Sequence, residues 1–253
     1  MASVGQLRIG VFVPGGAQLL DLSPIDLFAM LSPEYLAACM LPAPLVALGL
    51  PSMIHYIGLP ENGTHLELTA SALLKVSKTT HDAEVQPGML DVILVPGPDP
   101  SSVFGGDALD FLRTHAAWKG DSGEGVDILC ICTGAYILGQ SGILKGKNAS
   151  GPRALVPALG KKFPDVNWVD DKRWVKDGHI WTSGGITNGQ EMVAAYIREK
   201  FPGPAAEAAL EMAGVGDKGI EYNRSKSGDT LWWLWQILKA ITVGNKTVKR
   251  REL

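Results

Sequence analysis

The 253-residue chain carries 23 basic and 26 acidic side chains, a net charge of −3 that argues against nucleic acid as a partner. Hydrophobic content of 46% against 19% charged residues excludes a disordered chain and suffices for one sizeable domain with a small appendage. Three cysteines, odd in number and without framework spacing, argue against a disulfide scaffold and for a reducing, cytoplasmic setting.

The opening "MASVGQLRIGVFVPGG" has no basic leader ahead of an apolar stretch, so secretion is not expected. "LRIGVFV" (Leu7–Val13) reads as a strand covered on both faces. Pro24–Ser32 reads as a helix, with Ser23 as N-cap, Pro24 at the first position and Asp26 completing a variant capping box. The apolar stretch from Tyr35 to Pro60 cannot span a membrane, because Pro42, Pro44 and Pro51 would each break the helix. Within it, "PLVALGL" (Pro44–Leu50) reads as a second strand.

"DVILVPG" (Asp91–Gly97) is the next strand, Asp107–Trp118 a helix, and "DILCIC" (Asp127–Cys132) a further strand followed at once by another helix. This alternation predicts an α/β three-layer sandwich with a mostly parallel central sheet. "RWVKDGHIWTS" (Arg173–Ser183) reads as an edge hairpin turning at Asp177-Gly178, and Thr187–Phe201 and Pro204–Ala213 as helices. The predicted division is a main domain over 1–203 and a helical extension over 204–253, packed on that domain or on a dimer partner.

The tail "DTLWWLWQILKAITVGNKTVKRREL" places Trp232, Trp233 and Trp235 in an apolar helix and then Lys246, Lys249, Arg250 and Arg251. Leu231–Val243 is too short to span a membrane. Two readings stand: a helix packed on protein with a solvated basic end, or a surface that docks on a membrane or a partner.

Cys130 and Cys132 point to one face if the strand runs through both. There is no second cysteine pair and the five histidines are scattered, so no metal site is expected. Cys130 lies inside the apolar run and reads as core. Cys132 is the last strand residue before Thr133-Gly134-Ala135, a strand–sharp turn–helix connection that presents its turn residue as a nucleophile elbow does. A helix N-terminus beside the sulfur favours thiolate. A strand-end cysteine before a small-residue turn can equally be structural.

Four ordered segments, "QLLDLSPIDLFAML", "DVILVPG", "CTGAYILGQSGILKGKNAS" and "DGHIWTSGGITNGQE", resemble the DJ-1/PfpI superfamily, within the class I glutamine amidotransferase-like fold. The likeness runs from about Leu7 to Phe201 and is strongest to the isocyanide (isonitrile) hydratase group and to the N-terminal domains of AraC-type regulators. It implies a cysteine-dependent hydratase acting on a small-molecule substrate without cofactor or metal, in a homodimer. Cys132 would attack the isocyanide carbon, an acid would protonate, and water would release an N-substituted formamide.

By that resemblance Asp21 inherits the acid's role, with Asp26 as the rival carboxylate; Asp26 has a capping task, while Asp21 lies at the C-terminal end of the first strand, where ligand sites of open α/β sheets gather. Thr133 matches the family's "CTG" pattern and could bond the acid or the substrate. Gly97 stands where the family places a backbone donor, and Pro98 replaces a second glycine. Gly185, Ile186 and Thr187 match the "GGIT" loop, a wall of the site. Thr133 also occupies the place of the histidine that protease-like members use, so a Cys–His hydrolase is disfavoured. Glu191 stands where relatives carry Asp. The alternatives are a redox or ligand sensor without turnover, or a relative recruited to another substrate in specialised metabolism.

Overall fold

The computed structural model describes residues 5–121, 123–222 and 225–243, in two compact units divided at Ile220. In chain order the strands are β1 (Leu7–Phe12), β2 (Ser52–Gly58), β3 (His65–Glu67), β4 (Leu73–Lys75), β5 (Lys78–Thr79), β6 (Val92–Val95), β7 (Asp127–Ile131), β8 (Asn148–Ala149), β9 (Asn167–Trp168), β10 (Trp174–Asp177) and β11 (Ile180–Ser183). The helices are α1 (Pro24–Ala29), α2 (Pro33–Ala38), α3 (Ala43–Val46), α4 (Gly106–Ala117), α5 (Gly134–Ser141), α6 (Val156–Lys162), α7 (Thr187–Lys200), α8 (Pro204–Ala213) and α9 (Lys226–Val243).

Seven strands form one sheet in the order β10-β11-β7-β6-β1-β2-β5. Every neighbouring pair is parallel except β10 with β11, the hairpin at the edge. The strands at its centre have no polar alternation because both faces are covered: β6 and β7 are buried at every residue. Phe28, Met192, Val193 and Tyr196 cover one face and Phe111, Leu112, Ile137 and Leu144 the other. Gly178, at a φ of 64°, turns the hairpin as its Asp-Gly pair predicts.

One predicted strand is a correction. Pro44–Leu50 is not extended; α3 occupies Ala43–Val46, entered from Pro42 with a proline in its first turn. Proline fits the first helical turn, whereas a sheet strand would lose a ladder hydrogen bond there. The second strand is instead β2, whose His55 and Tyr56 are half-buried, so its composition carries no continuous apolar run. The capping box is likewise absent. Ser23 caps no N–H; its hydroxyl donates to Leu20 O at 2.6 Å and accepts from Gln190 Nε2 at 2.9 Å.

α8 belongs to the first unit and buries Ala205, Ala206, Ala209 and Leu210. Glu191, only 5% exposed on α7, accepts the N–H groups of Gly216 and Lys218 at 3.0 and 3.1 Å and so holds the segment after α8. Among the described residues no helix is long and apolar enough to cross a membrane. The basic run Lys246 to Arg251 lies outside the described residues.

Candidate functional site

β7 ends at Ile131 and α5 begins at Gly134, so the sheet passes into the helix across Cys132 and Thr133 alone. Cys132 has a φ of 57°, a left-handed conformation that a side chain tolerates at a cost of about 1–2 kcal/mol. Its N–H points at the carbonyls of Ser183 and Gly184, both 3.2 Å away at the end of β11, and these hold the turn. Gly134 makes the sharp entry possible: a Cβ there would lie 2.7 Å from Val95 O and 3.0 Å from Cys130 Sγ. Cys130 itself is fully buried in the core, and burial pushes its thiol well up. The two cysteines are thus unlike, as their positions in the run predict.

Asp21 comes from a short 3-10 turn, Leu19–Leu22, between β1 and α1. Its side chain is completely buried. Oδ2 accepts the Gly97 N–H at 3.0 Å, while Oδ1 has no hydrogen-bond partner of ordinary geometry among the described residues. Burial therefore pushes this carboxyl up to about 6, against smaller downward pulls from the Gly97 N–H, the Cys132 thiol and the Ile186 N–H. Asp26, by contrast, is exposed in the first turn of α1.

The thiol of Cys132 is pushed up to about 11, first by burial and then by the charge of Asp21; the Thr133 N–H pulls the other way and is outweighed. A thiolate favoured by the helix start alone is therefore not what the site holds. Cys132 and Asp21 instead lie against each other, and burial pushes both groups up. Such a pair can expose a nucleophilic sulfur and return a proton within one encounter.

Gly97 ties this arrangement together. Its N–H serves Asp21, and its carbonyl accepts the Gln18 N–H at 2.9 Å. A Cβ at this position would collide with Thr133 Oγ1 and lie 2.6 Å from Asp21 Oδ2, so only glycine fits. The Thr133 hydroxyl donates to Pro98 O at 2.6 Å rather than to the acid. Pro98, which has no N–H, thus contributes its carbonyl to position Thr133.

Above the sulfur lies a pocket of about 430 Å³ lined by Cys132, Thr133, Gly97 and Pro98. Asp21 is not on its wall and sits behind the thiol. Gly185 approaches the sulfur, since a Cβ on it would lie 3.9 Å from Cys132 Sγ. Ile186, at a φ of 40°, turns its N–H toward Asp21, and the exposed Thr187 opens α7; none of the three lines the pocket. The remaining lining includes Gly16, Ala17, Gln18 and Thr69, which the sequence does not single out. They meet through a bridge between Ala17 and Leu68 and through Thr69 Oγ1, which accepts the Leu19 N–H at 2.9 Å. No histidine lines the pocket among the described residues.

A mostly parallel sheet, a cysteine of left-handed backbone at the strand-to-helix turn and a buried carboxyl beside it belong to an α/β sandwich. The model of the DJ-1/PfpI family matches residues 58–199, and the chain belongs to that family. It is 37% identical over 131 residues to the isonitrile hydratase of Pseudomonas putida, covering 50% of each chain. It is 30% identical over 143 residues to protein dj-1beta of Drosophila melanogaster, covering 55% of this chain and 63% of that one. The matches therefore span about half to under two thirds of these curated relatives. In fold it is similar to a ThiJ/PfpI family protein from Pseudomonas syringae, with a TM-score of 0.64 at 19% identity over 96% of this chain and 90% of the other.

Proposed function

We propose that the protein hydrates a small electrophile, an isocyanide, to an N-substituted formamide through a thioimidate on Cys132. The observation that carries this reading is the Cys132–Asp21 pair itself: a thiol at the strand-to-helix turn against a completely buried carboxyl, beneath a pocket without histidine among the described residues. The likeness to an isonitrile hydratase supports it.

Addition of a thiol to an isocyanide needs one nucleophile and one proton at the same carbon. The sulfur forms the C–S bond, and the proton shared with Asp21 goes to that carbon, giving a thioimidate, R–N=CH–S. Water then adds to the thioimidate carbon. The C–S bond breaks, the thiol regains its proton, and R–NH–CHO leaves. Asp21 accepts and returns the proton throughout, a task suited to a carboxyl held near 6. Thr133, fixed on Pro98 O, keeps its N–H toward the sulfur.

A redox or ligand sensor without turnover is the second reading, and the absence of formamide from the intact thiol protein would favour it. Purified protein mixed with an alkyl isocyanide should yield the formamide, detected by NMR. Absence of product, or full activity in Cys132→Ala, contradicts the reading.

A further inference from the structure

The pocket above Cys132 is one-sided in charge. Asp99 is the one charged residue on its wall, and no Lys, Arg or His lines it among the described residues. Around Asp99 the wall is neutral, apolar at Ala17, Pro98 and Pro100 and polar at Gln18, Thr69 and Ser102. Asp99 Oδ1 accepts the hydroxyl and the N–H of Ser101 at 2.6 and 2.7 Å. These bonds hold the carboxyl below its usual range, so it is an anion at neutral pH. Among the described residues it makes no ion pair.

That anion is fixed in place relative to the sulfur. The loop after β6 is tied at three points to the segment that follows Cys132. The Thr133 hydroxyl donates to Pro98 O at 2.6 Å, Gln140 Nε2 donates to Ser102 O at 3.1 Å, and the Phe104 N–H donates to Gln140 Oε1 at 3.1 Å. Thr133 precedes α5 directly and Gln140 lies within it, so the helix that leaves the thiol also carries the loop. The Ser102 N–H closes the turn on Asp99 O at 3.0 Å. Asp21, behind the sulfur, is ionised above about 6. A ligand approaching Cys132 therefore meets one carboxylate on the pocket wall and another behind the thiol.

We infer that Asp99 is a specificity-determining residue, which admits neutral and cationic electrophiles to Cys132 and turns away those that carry a carboxylate. The substrate class rests on the hydratase reading: an isocyanide whose substituent is uncharged or bears an ammonium group. The charge selection at the sulfur does not rest on it. One solvated charge at contact distance changes a rate or affinity by a factor of about five, and the effect fades in salt.

The first test is the rate at which two methanethiosulfonates of equal length, one ending in trimethylammonium and one in sulfonate, modify Cys132 at low salt. Each rate is divided by that reagent's rate with 2-mercaptoethanol, and peptide mass spectrometry separates Cys132 from Cys39. The cationic reagent should react about tenfold faster than the anionic one, and by a smaller margin in raised salt. Asp99→Asn should lower that ratio severalfold, and Asp99→Lys by about tenfold or more. Equal rates in the wild type, or a ratio unmoved by Asp99→Lys, overturn the inference.

The second test compares kcat/KM for formamide release from two isocyanides of equal length, one ending in trimethylammonium and one in carboxylate. A value about tenfold lower for the carboxylate, with the gap closed by Asp99→Lys, is expected. Equal values in the wild type overturn the selection and leave the hydratase reading in place. A charge preference at the thiol with no formamide from either isocyanide supports the selection and contradicts the hydratase reading.

Discussion

Strand β7 has a buried aspartate at each end of its reach, and the two behave differently. At its N-terminal end Asp127 receives the Tyr196 hydroxyl at 3.0 Å and the Lys200 ammonium at 2.8 Å. Beyond its C-terminal end Cys132 meets Asp21, which has one N–H and an oxygen with no ordinary hydrogen-bond partner. A buried carboxylate given a cation and a phenol has its oxygens satisfied. One given a single amide and a thiol stays poised to take a proton. The larger cleft, about 730 Å³, lies at the satisfied end, lined by Arg8, Asp91, Asp127 and Lys200, with Arg8 and Asp91 paired at 2.6 Å. The chemistry proposed above therefore falls at the end with the smaller cavity and the less satisfied carboxyl.

The sharpest way to break this comparison is at the sulfur. Cys132→Ala should lower isocyanide turnover by about a thousandfold or more, measured by formamide release. Asp21→Asn keeps the shape and the bond from Gly97 but removes the proton exchange, and should cost about 10²–10⁴ in rate. The same substitution should stabilise the fold. A carboxyl raised from its ordinary 3.8 to about 6 opposes folding once ionised, so wild-type stability falls as pH rises from about 4 to 6. The loss stays in place above that window and amounts to at most about 3 kcal/mol. Urea midpoints across pH should show that decline in the wild type and not in Asp21→Asn.

Turnover should fall below pH 6, where Asp21 is protonated and cannot accept the thiol's proton, and a pH–rate profile checks the sign. Gly97→Ala places a methyl against Thr133 and Asp21 and should cost about 1–3 kcal/mol in thermal unfolding together with most of the activity. The smallest effect falls at the other end. Asp127→Asn should lower stability by about 1 kcal/mol and leave turnover unchanged, because the Tyr196 and Lys200 partners are structural.

Much of this arrangement is legible in the chain because it is local. The Cys132 turn is written in five consecutive residues, with Gly134 required by the close approach to Val95 and Cys130. The hairpin is written in Asp177-Gly178. Asp21 is separated from Asp26 by position relative to the helix start, and the structure buries the first and exposes the second. The rest depends on contacts distant in sequence. Pro44–Leu50 is apolar enough for a strand, yet Pro42 and Pro44 place its start in a helix, while β2 hides behind half-buried His55 and Tyr56. Thr69 joins the pocket because Ala17 bridges Leu68, 51 positions further along the chain (68 − 17), a pairing that no periodicity announces. The raised thiol is equally non-local: the helix start favours thiolate, and burial beside Asp21 reverses it.

The central claim is that the Cys132–Asp21 pair supplies both the nucleophile and the proton to one carbon. NMR of the protein with an alkyl isocyanide in D₂O tests it most directly. The account predicts an N-alkylformamide bearing deuterium at the formyl carbon, formed by the wild type and not by Cys132→Ala. Formamide produced at the wild-type rate by Cys132→Ala, or no formamide from the intact thiol protein, would contradict it.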